Sequence, residues 1–368
     1  MLAIKRDVVV VGGGQAGLAI GYHLARQGRD FTILDAADAP AAAWRNRWDS
    51  LRLFTPVRFD SLPGLAFPGD PDSYPGRDDV AGYLTDYAQR FDLPVELRSR
   101  VRALTRADDR YLLELDDGRS YDAAQVVVAT GPFQVPRVPE VARQLHGDVF
   151  QIHSSDYRNP GALPPGPVLV VGGGNTGFQI AAELSATHEV ELSIGSRQAP
   201  LPQRILGRDV FTFLELLGAM TKSVDTRIGR RMNGAETLTG SSPRKLRRRH
   251  GVPMRPRAVA AEGASVRFED GSSMTASSVV WATGFGIDHS WIDVPVLDEA
   301  GRAVHRRGVT DSRGLYFIGL PWLHSRGSAL LGWVKHDAQY LADRIGALPA
   351  TAPAGTPLAP STTERTHA

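Results

Sequence analysis

Val8-Val9-Val10-Val11-Gly12-Gly13-Gly14-Gln15-Ala16-Gly17-Leu18 opens the chain, and Val168-Leu169-Val170-Val171-Gly172-Gly173-Gly174-Asn175-Thr176-Gly177-Phe178 repeats its plan near the middle. Each starts with an aliphatic run too short for a helix and too apolar for a sheet edge, which predicts a buried parallel strand. Each continues into a helix with one apolar face, Leu18, Tyr22 and Leu24 in the first and Phe178, Ile180 and Leu184 in the second. A further strand follows, Phe31 to Leu34 and Val190 to Ile194. Strand, glycine turn, helix, strand is thus written twice. The reading is α/β, with two Rossmann-like dinucleotide-binding domains.

The glycines divide the work. Gly12 and Gly172 make the tight turn out of the strand, Gly14 and Gly174 let the backbone approach a pyrophosphate, and Gly17 and Gly177 let helix and strand pack closely. The helix N-terminus then offers N–H groups and a positive dipole end to the phosphates.

The copies differ at the end of the second strand. In the first, Asp35 stands about 20 residues past the glycines, where an acid can bond free ribose hydroxyls, as FAD or NAD presents them. In the second, Ile194-Gly195-Ser196 carries no acid and Arg197 follows. A missing carboxylate with an adjacent guanidinium suits a 2′-phosphate, so this site reads as NADPH-binding through Ser196 and Arg197. A solvated turn arginine is the alternative for Arg197.

Two more strings match. Val126-Val127-Val128-Ala129-Thr130-Gly131 and Val279-Val280-Trp281-Ala282-Thr283-Gly284 are apolar strands ending in Ala-Thr-Gly, each preceded by a hairpin signal, Asp117-Gly118 and Asp270-Gly271. A small β-meander in each module is expected, with a later strand at Leu315–Gly319 and a helix from about Ser328 to Ile345.

Composition removes several function classes. The chain has no cysteine, which excludes disulfides, thiolate metal sites and a catalytic thiol, and fits a cytoplasmic location. The strand at Val8 leaves no room for a signal peptide, and no apolar run reaches the ~20 residues that span a bilayer, so no membrane association is expected. A formal net charge of +2 gives no global case for nucleic acid. The basic run Arg244 to His250 reads as a solvated helix end or loop. There is no nucleophile-elbow or zinc-protease motif and no His/Asp cluster at metal spacing, so no metal is expected. The tail from Ala347 to Ala368, rich in Pro, Ala and Thr, reads as disordered. Nothing fixes the oligomeric state.

The two glycine turns, the two Ala-Thr-Gly strands and Gly314-Leu315-Tyr316-Phe317-Ile318-Gly319 together resemble the two-dinucleotide-domain flavoproteins. More narrowly, Trp44-Arg45-Asn46-Arg47-Trp48-Asp49-Ser50-Leu51-Arg52-Leu53 and His153-Ser154-Ser155-Asp156-Tyr157-Arg158 resemble the class B flavin-containing monooxygenases. The small bacterial branch, similar to the plant indole-pyruvate (YUCCA-type) monooxygenases and to CzcO-like proteins, is the nearest in pattern. The likeness covers about residues 5 to 345.

That resemblance implies an FAD-binding domain of residues 1–150 and 285–346, and an inserted NADPH-binding domain of 151–284. It implies that Gly12, Gly14, Gln15, Ala16, Gly17 and Asp35 hold the FAD adenosine and pyrophosphate, with Thr130 and Gly131 closing that strand. Trp44, Trp48 and Thr55 would approach the flavin, and Gly319, Ser328 and Ala329, at a helix start, would face its ring. Gly172, Gly174, Asn175, Thr176, Gly177, Ser196 and Arg197 would bind NADPH, with Thr283 and Gly284 at the matching strand end. The monooxygenase fingerprint is altered: Leu145 stands for its Phe, and His153 lies two residues too far beyond Gly147. Thr55 is followed by Pro56, where animal-type members carry Asn.

The activity implied is FAD-dependent, NADPH-oxidising monooxygenation through a flavin C4a-(hydro)peroxide, one oxygen atom of O2 passing to a small soft nucleophile or reactive carbonyl. Thr55 and His153 are the catalytic candidates, His153 being either an organiser of the flavin's surroundings or a hydrogen-bonded structural histidine. Two alternatives stay open: an NADPH-dependent reductase passing electrons to an acceptor, and a regulatory flavoprotein without turnover. The segment Pro202 to Pro256, without counterpart in the first module, either walls a substrate pocket or simply packs.

Overall fold

The computed structural model describes residues 2–233 and 237–350; most of the predicted tail therefore lies outside the described residues. In chain order the first module runs β1 (Ile4–Val11), α1 (Gln15–Arg26), β2 (Phe31–Leu34), α2 (Arg77–Arg90), β3 (Val95–Glu96), β4 (Val101–Ala107), β5 (Arg110–Leu115) and β6 (Ser120–Val128). β1 lies inside its sheet, parallel to β2 with Val8 opposite Phe31 and parallel to β6 with Val8 opposite Gln125. Its valines are buried on both faces, which is why the run reads as continuous rather than alternating.

β6 serves two neighbours. Its first half closes the antiparallel meander β4–β5–β6, turning at Asp117 and Gly118, and its second half runs parallel beside β1. The chain leaves through β7 (Val135–Pro136) and builds β8 (Phe150–His153), β9 (Val168–Val171), α3 (Asn175–Leu184), β10 (Val190–Ser193), α4 (Val210–Leu216), α5 (Pro243–His250) and β11 (Met254–Arg255). A separate meander, β12 (Ala258–Glu262), β13 (Ser265–Phe268) and β14 (Ser273–Thr275), precedes β15 (Ser278–Trp281). The second sheet has five parallel strands in the order β11-β10-β9-β15-β8.

β16 (Phe285–Gly286) returns antiparallel to β7, so exit and re-entry lie side by side. β17 (Ile292–Asp293) and β18 (Leu315–Phe317) then rejoin the first sheet, pairing β4 and β6, and complete eight strands. α6 (Val334–Gly346) packs on α1, where Leu24, Val334, Leu341 and Ile345 are fully buried. Each such side chain contributes about 1.5–3 kcal/mol by leaving water.

One boundary differs from expectation. Ser328 and Ala329 belong to a short 3-10 turn, Arg326–Ala329, and α6 starts only at Val334. Leu330 is extended (φ −88°, ψ 143°), and at Gly332 a Cβ would come 1.6 Å from the Phe59 carbonyl oxygen, so the chain passes that loop before it can coil. The basic run forms α5, capped by Ser242 Oγ accepting from Lys245 N, with only Leu246 buried. Among the described residues no helix is long and apolar enough to cross a membrane, and no group of three or more His, Cys, Asp or Glu is placed to hold a metal.

Candidate cofactor and active site

The first glycine turn is dictated by its own backbone. Gly12 has φ +113°, and a Cβ there would lie 2.5 Å from the Ala129 carbonyl oxygen of the neighbouring strand end. A Cβ at Gly17 would lie 1.9 Å from the Gly12 carbonyl oxygen, so α1 sits directly on the turn. Gly14 is different: it is the N-cap of α1, has no side-chain cap, and a Cβ there would meet no atom of the chain within 4 Å. Glycine at 14 therefore answers to no packing need of the protein, and its open side leaves the N–H end of α1 to an anion.

Asp35 borders this corner. Its Oδ2 accepts from Gly13 N (2.7 Å) and its Oδ1 from Ala37 N (2.8 Å), which orients a carboxylate with lone pairs left for hydroxyls. Gln15 turns its amide away from the corner, donating to the Ala329 carbonyl (2.9 Å) and so tying α1 to the Arg326–Ala329 turn. Ala16 is buried under Gly319, where φ is +78° and a Cβ would come 2.7 Å from that of Ala16. The Ser328 hydroxyl accepts from His324 N and Ser325 N (3.1 and 3.0 Å) and so shapes that turn from within.

The second turn repeats the geometry. A Cβ at Gly172 (φ +139°) would lie 2.1 Å from the Ala282 carbonyl oxygen, and one at Gly177 2.0 Å from the Gly172 oxygen. Gly174 caps α3, again without a side-chain cap. Asn175 is engaged by the chain: it donates to the Thr237 carbonyl and accepts from Thr239 N. Thr176 lies half-buried in the first turn of α3, and Ser196 and Arg197 follow β10 on the surface.

The two Ala-Thr-Gly ends face the crossing strands. Gly131 (φ +70°) and Thr130 are both held by the Gln134 amide, while the Thr283 hydroxyl donates to the Arg137 carbonyl. His153 sits at the second end, buried. Ser155 N donates to its Nδ1 (3.1 Å), so Nε2 carries the proton and donates to the Gly284 carbonyl (3.1 Å). Burial lowers its pKa, in keeping with this neutral form. Both ring nitrogens are thereby engaged, and the geometry supports a positioning role.

Thr55 is buried and donates to Asp60 Oδ1 (2.6 Å). Asp60 itself is fully buried, its Oδ2 has no partner among the described residues, and burial pushes its pKa up to about 8 against the pull of the Thr55 hydroxyl. No spacing rule marks a single loop aspartate, and the sequence reading passed it over. The same holds for Arg47, whose guanidinium lies 4.8 Å from the Phe133 ring and 5.2 Å from that of Phe285, beside the two strand ends. Burial, then the charge of Arg158, lowers its pKa.

Trp44 is half-buried and touches the cores of both modules. Trp48 is buried in the core of the second module with Tyr157, Phe178 and Leu246, its indole N–H without a partner among the described residues. Tyr157 gives its hydroxyl to Glu183 on α3 (2.8 Å). The Trp44–Leu53 stretch is thus a joint between modules. Residues 201–220 make a second joint: Val210, Phe211 and Met220 pack with Trp333, Phe54 and Phe59.

Residues 9–204 match the family model described as pyridine nucleotide-disulphide oxidoreductase. The chain belongs to this family. Among its relatives, the CzcO-like oxidoreductase of Geobacillus kaustophilus is 44% identical, over 92% of this chain and 98% of that protein. Indole-3-pyruvate monooxygenase YUCCA8 of Oryza sativa subsp. indica is 28% identical over 92% and 90%. Of solved structures, the flavin-containing monooxygenase from Stenotrophomonas maltophilia superposes with a TM-score of 0.80 at 29% identity, covering 94% of this chain and 99% of that one. This pyridine nucleotide-disulphide oxidoreductase relative is thus a flavin monooxygenase-type oxidoreductase, with FAD and NADPH as the implied cofactors. The two open helix N-termini fit those two dinucleotides. This sequence has no cysteine, so it carries no redox thiol pair of the kind that disulphide reduction uses.

Proposed function

We propose that the chain oxidises NADPH through FAD and transfers one atom of O2 to a small molecule, either a soft nitrogen or sulfur nucleophile or a reactive carbonyl. FAD belongs, in this reading, to residues 1–150 and 285–346, and NADPH to 151–284. The observation that carries it is the pair of glycine corners, alike in turn and helix but different in charge: Asp35 borders one, and no acid ends the second strand of the other.

Bound flavin would supply the hydride acceptor and the site of oxygen activation, which no side chain here provides. The chain's own part is to bind, orient and exclude water. Asp35 would offer lone pairs to ribose hydroxyls, and the uncapped N–H end of α1 at Gly14 would hold the pyrophosphate. Neutral His153 fixes the Gly284 carbonyl, so the second strand end keeps its shape without adding charge. The apolar packing of Phe54, Phe59, Phe211 and Trp333 keeps water from the joint beside the Arg326–Ala329 turn.

The test is direct. Purified protein should be yellow and should bleach anaerobically with NADPH. On admitting air with thioanisole as a simple thioether, oxygen consumed should match sulfoxide formed, with little hydrogen peroxide. Oxidation that proceeds only with an added electron acceptor would replace this reading with a reductase, and failure to bleach would remove both enzymes.

A further inference from the structure

Arg326 is a cation without a counter-charge. Its side chain is half-buried, and among the described residues its guanidinium meets no carboxylate and no hydrogen-bond acceptor. Burial alone lowers its pKa. Charged groups removed from water are ordinarily paired, because burying an unpaired one is strongly unfavourable. The other described arginine whose pKa is lowered, Arg47, keeps a bond from Nε to the Ala43 carbonyl (3.1 Å) and lies beside two aromatic rings. Arg326 has a single contact of that kind, the ring of Trp322, whose centroid lies 5.7 Å from its Cζ.

Trp322 is held there against its backbone preference. Leu323 N donates to the Leu320 carbonyl (3.2 Å), closing a tight turn with Pro321 and Trp322 at its centre. Trp322 has φ +58°, a conformation that glycine or asparagine usually supplies in such a turn and that a bulky side chain disfavours. Strain of this kind persists where the surroundings impose it, and it gathers at ligand sites. The backbone around Arg326 is fixed as firmly. Gly327 N donates to the Met220 carbonyl (2.9 Å), Val224 N donates to the His324 carbonyl (2.8 Å), and the Ser328 hydroxyl accepts from Ser325 N (3.0 Å). A Cβ at Gly327 would lie 2.5 Å from that of Trp333. The inserted segment thus clamps the loop 319–329 beside the turn that Gln15 ties to α1.

We propose that Arg326, placed by the face of Trp322, seats the carboxylate of the substrate, a small monocarboxylic acid with an apolar body. The proposal rests on the small molecule being bound beside the Arg326–Ala329 turn, and it deepens that reading by giving the substrate a charge. The planar fork of a guanidinium matches both oxygens of a carboxylate. Arg326 is the one charged side chain of the loop 319–329 when His324 is neutral, which suits a single carboxylate. The phosphates of the two dinucleotides have other places in this reading, at the N–H ends of α1 and α3 behind Gly14 and Gly174. Trp322 serves twice: its π face holds the guanidinium without neutralising it, and the rest of the half-buried indole offers apolar surface to the body of the acid.

The experiment uses the full chain as purified, with its flavin, and reads binding apart from turnover. 3-Phenylpropionate and hexanoate, each beside its neutral amide, are titrated calorimetrically into the native protein, Arg326→Met, Arg326→Lys and Trp322→Gly. The native protein should hold each acid about 10- to 100-fold tighter than its amide. Arg326→Met should abolish that preference while changing the amides less than about threefold, and Arg326→Lys should keep part of it. Trp322→Gly should weaken the acids by more than about threefold, since the guanidinium loses the face that places it. Acids and amides bound alike by the native protein, none of them bound, or a preference that survives Arg326→Met overturns the proposal. So does a fall in flavin content or NADP+ affinity in Arg326→Met, which would give the guanidinium to a cofactor. Turnover is read separately, with (phenylthio)acetate against thioanisole: a lower KM for the acid that is lost in Arg326→Met supports the seat. Selective binding of the acids with no oxygen passed to either thioether keeps the seat and removes the oxygenation reading.

Discussion

Asp60 shows how burial can set the behaviour of a single residue. With its pKa near 8 in the folded chain against the ordinary 3.8, the native state holds a proton that the unfolded state releases. Between about pH 4 and pH 8 the unfolded state binds fewer protons, so stability falls with rising pH, by about 1.4 kcal/mol per unit where the difference is complete, and levels off above 8. Asp60→Asn cannot titrate. Urea midpoints compared between pH 5 and pH 8 should therefore drop more for the native chain than for Asp60→Asn. Parallel drops would show that Asp60 titrates alike in both states. The resemblance implied Thr55 near the flavin; the structure commits its hydroxyl to Asp60, and that pairing depends on a loop whose path no periodicity encodes. His153 was legible as a residue and open as to role, because the tautomer follows from Ser155 N and the Gly284 carbonyl, 131 residues away in sequence for the latter.

At the scale of elements, the glycine turns separate packing from binding. Gly14 has ordinary extended backbone (φ −77°, ψ −172°) and open space at its Cβ, so Gly14→Ala should leave unfolding within about ±0.5 kcal/mol of native. It should nevertheless lower flavin content at purification, because the added methyl fills the side on which a pyrophosphate would lie. Gly17→Ala places its Cβ 1.9 Å from the Gly12 oxygen and should destabilise by about 1–3 kcal/mol through forced movement of the turn. Thermal unfolding and the flavin-to-protein absorbance ratio separate the two effects; full flavin content in a stable Gly14→Ala protein would contradict the cradle. The strands, both helices after the turns and the meanders were readable because periodicity and turn residues are local signals. The start of α6 was not, since the approach of Gly332 to the Phe59 carbonyl is a contact between distant segments.

Across the whole molecule the duplication was legible, while the joints between its halves were not. Trp48, which the resemblance places towards the flavin, also contributes to the core of the second module, and the second module's residues 201–220 pack on Phe54, Phe59 and Trp333 of the first. Asp209 is the polar centre of that second joint. Its Oδ1 caps α4 by accepting from Phe211 N (2.8 Å), and its Oδ2 accepts from the Tyr74 hydroxyl (2.6 Å) and Gln203 Nε2 (2.7 Å). Gln203 Nε2 also reaches the Phe54 carbonyl (2.9 Å), and Trp333 Nε1 reaches Glu215 (2.7 Å). If these bonds fasten the inserted segment to the first module, Tyr74→Phe and Asp209→Asn should not add: a double-mutant cycle on urea unfolding should return a coupling of about 0.5–3 kcal/mol. Limited proteolysis of Asp209→Asn should cut first within 202–220 while the β1–β2–β6 core resists, since a segment with few other polar ties opens before the strands it rests on. Additive single effects with an unchanged first cleavage site would mean that apolar contact with Trp333 alone holds the segment, and that the Tyr74–Asp209 bond follows from that packing without securing it.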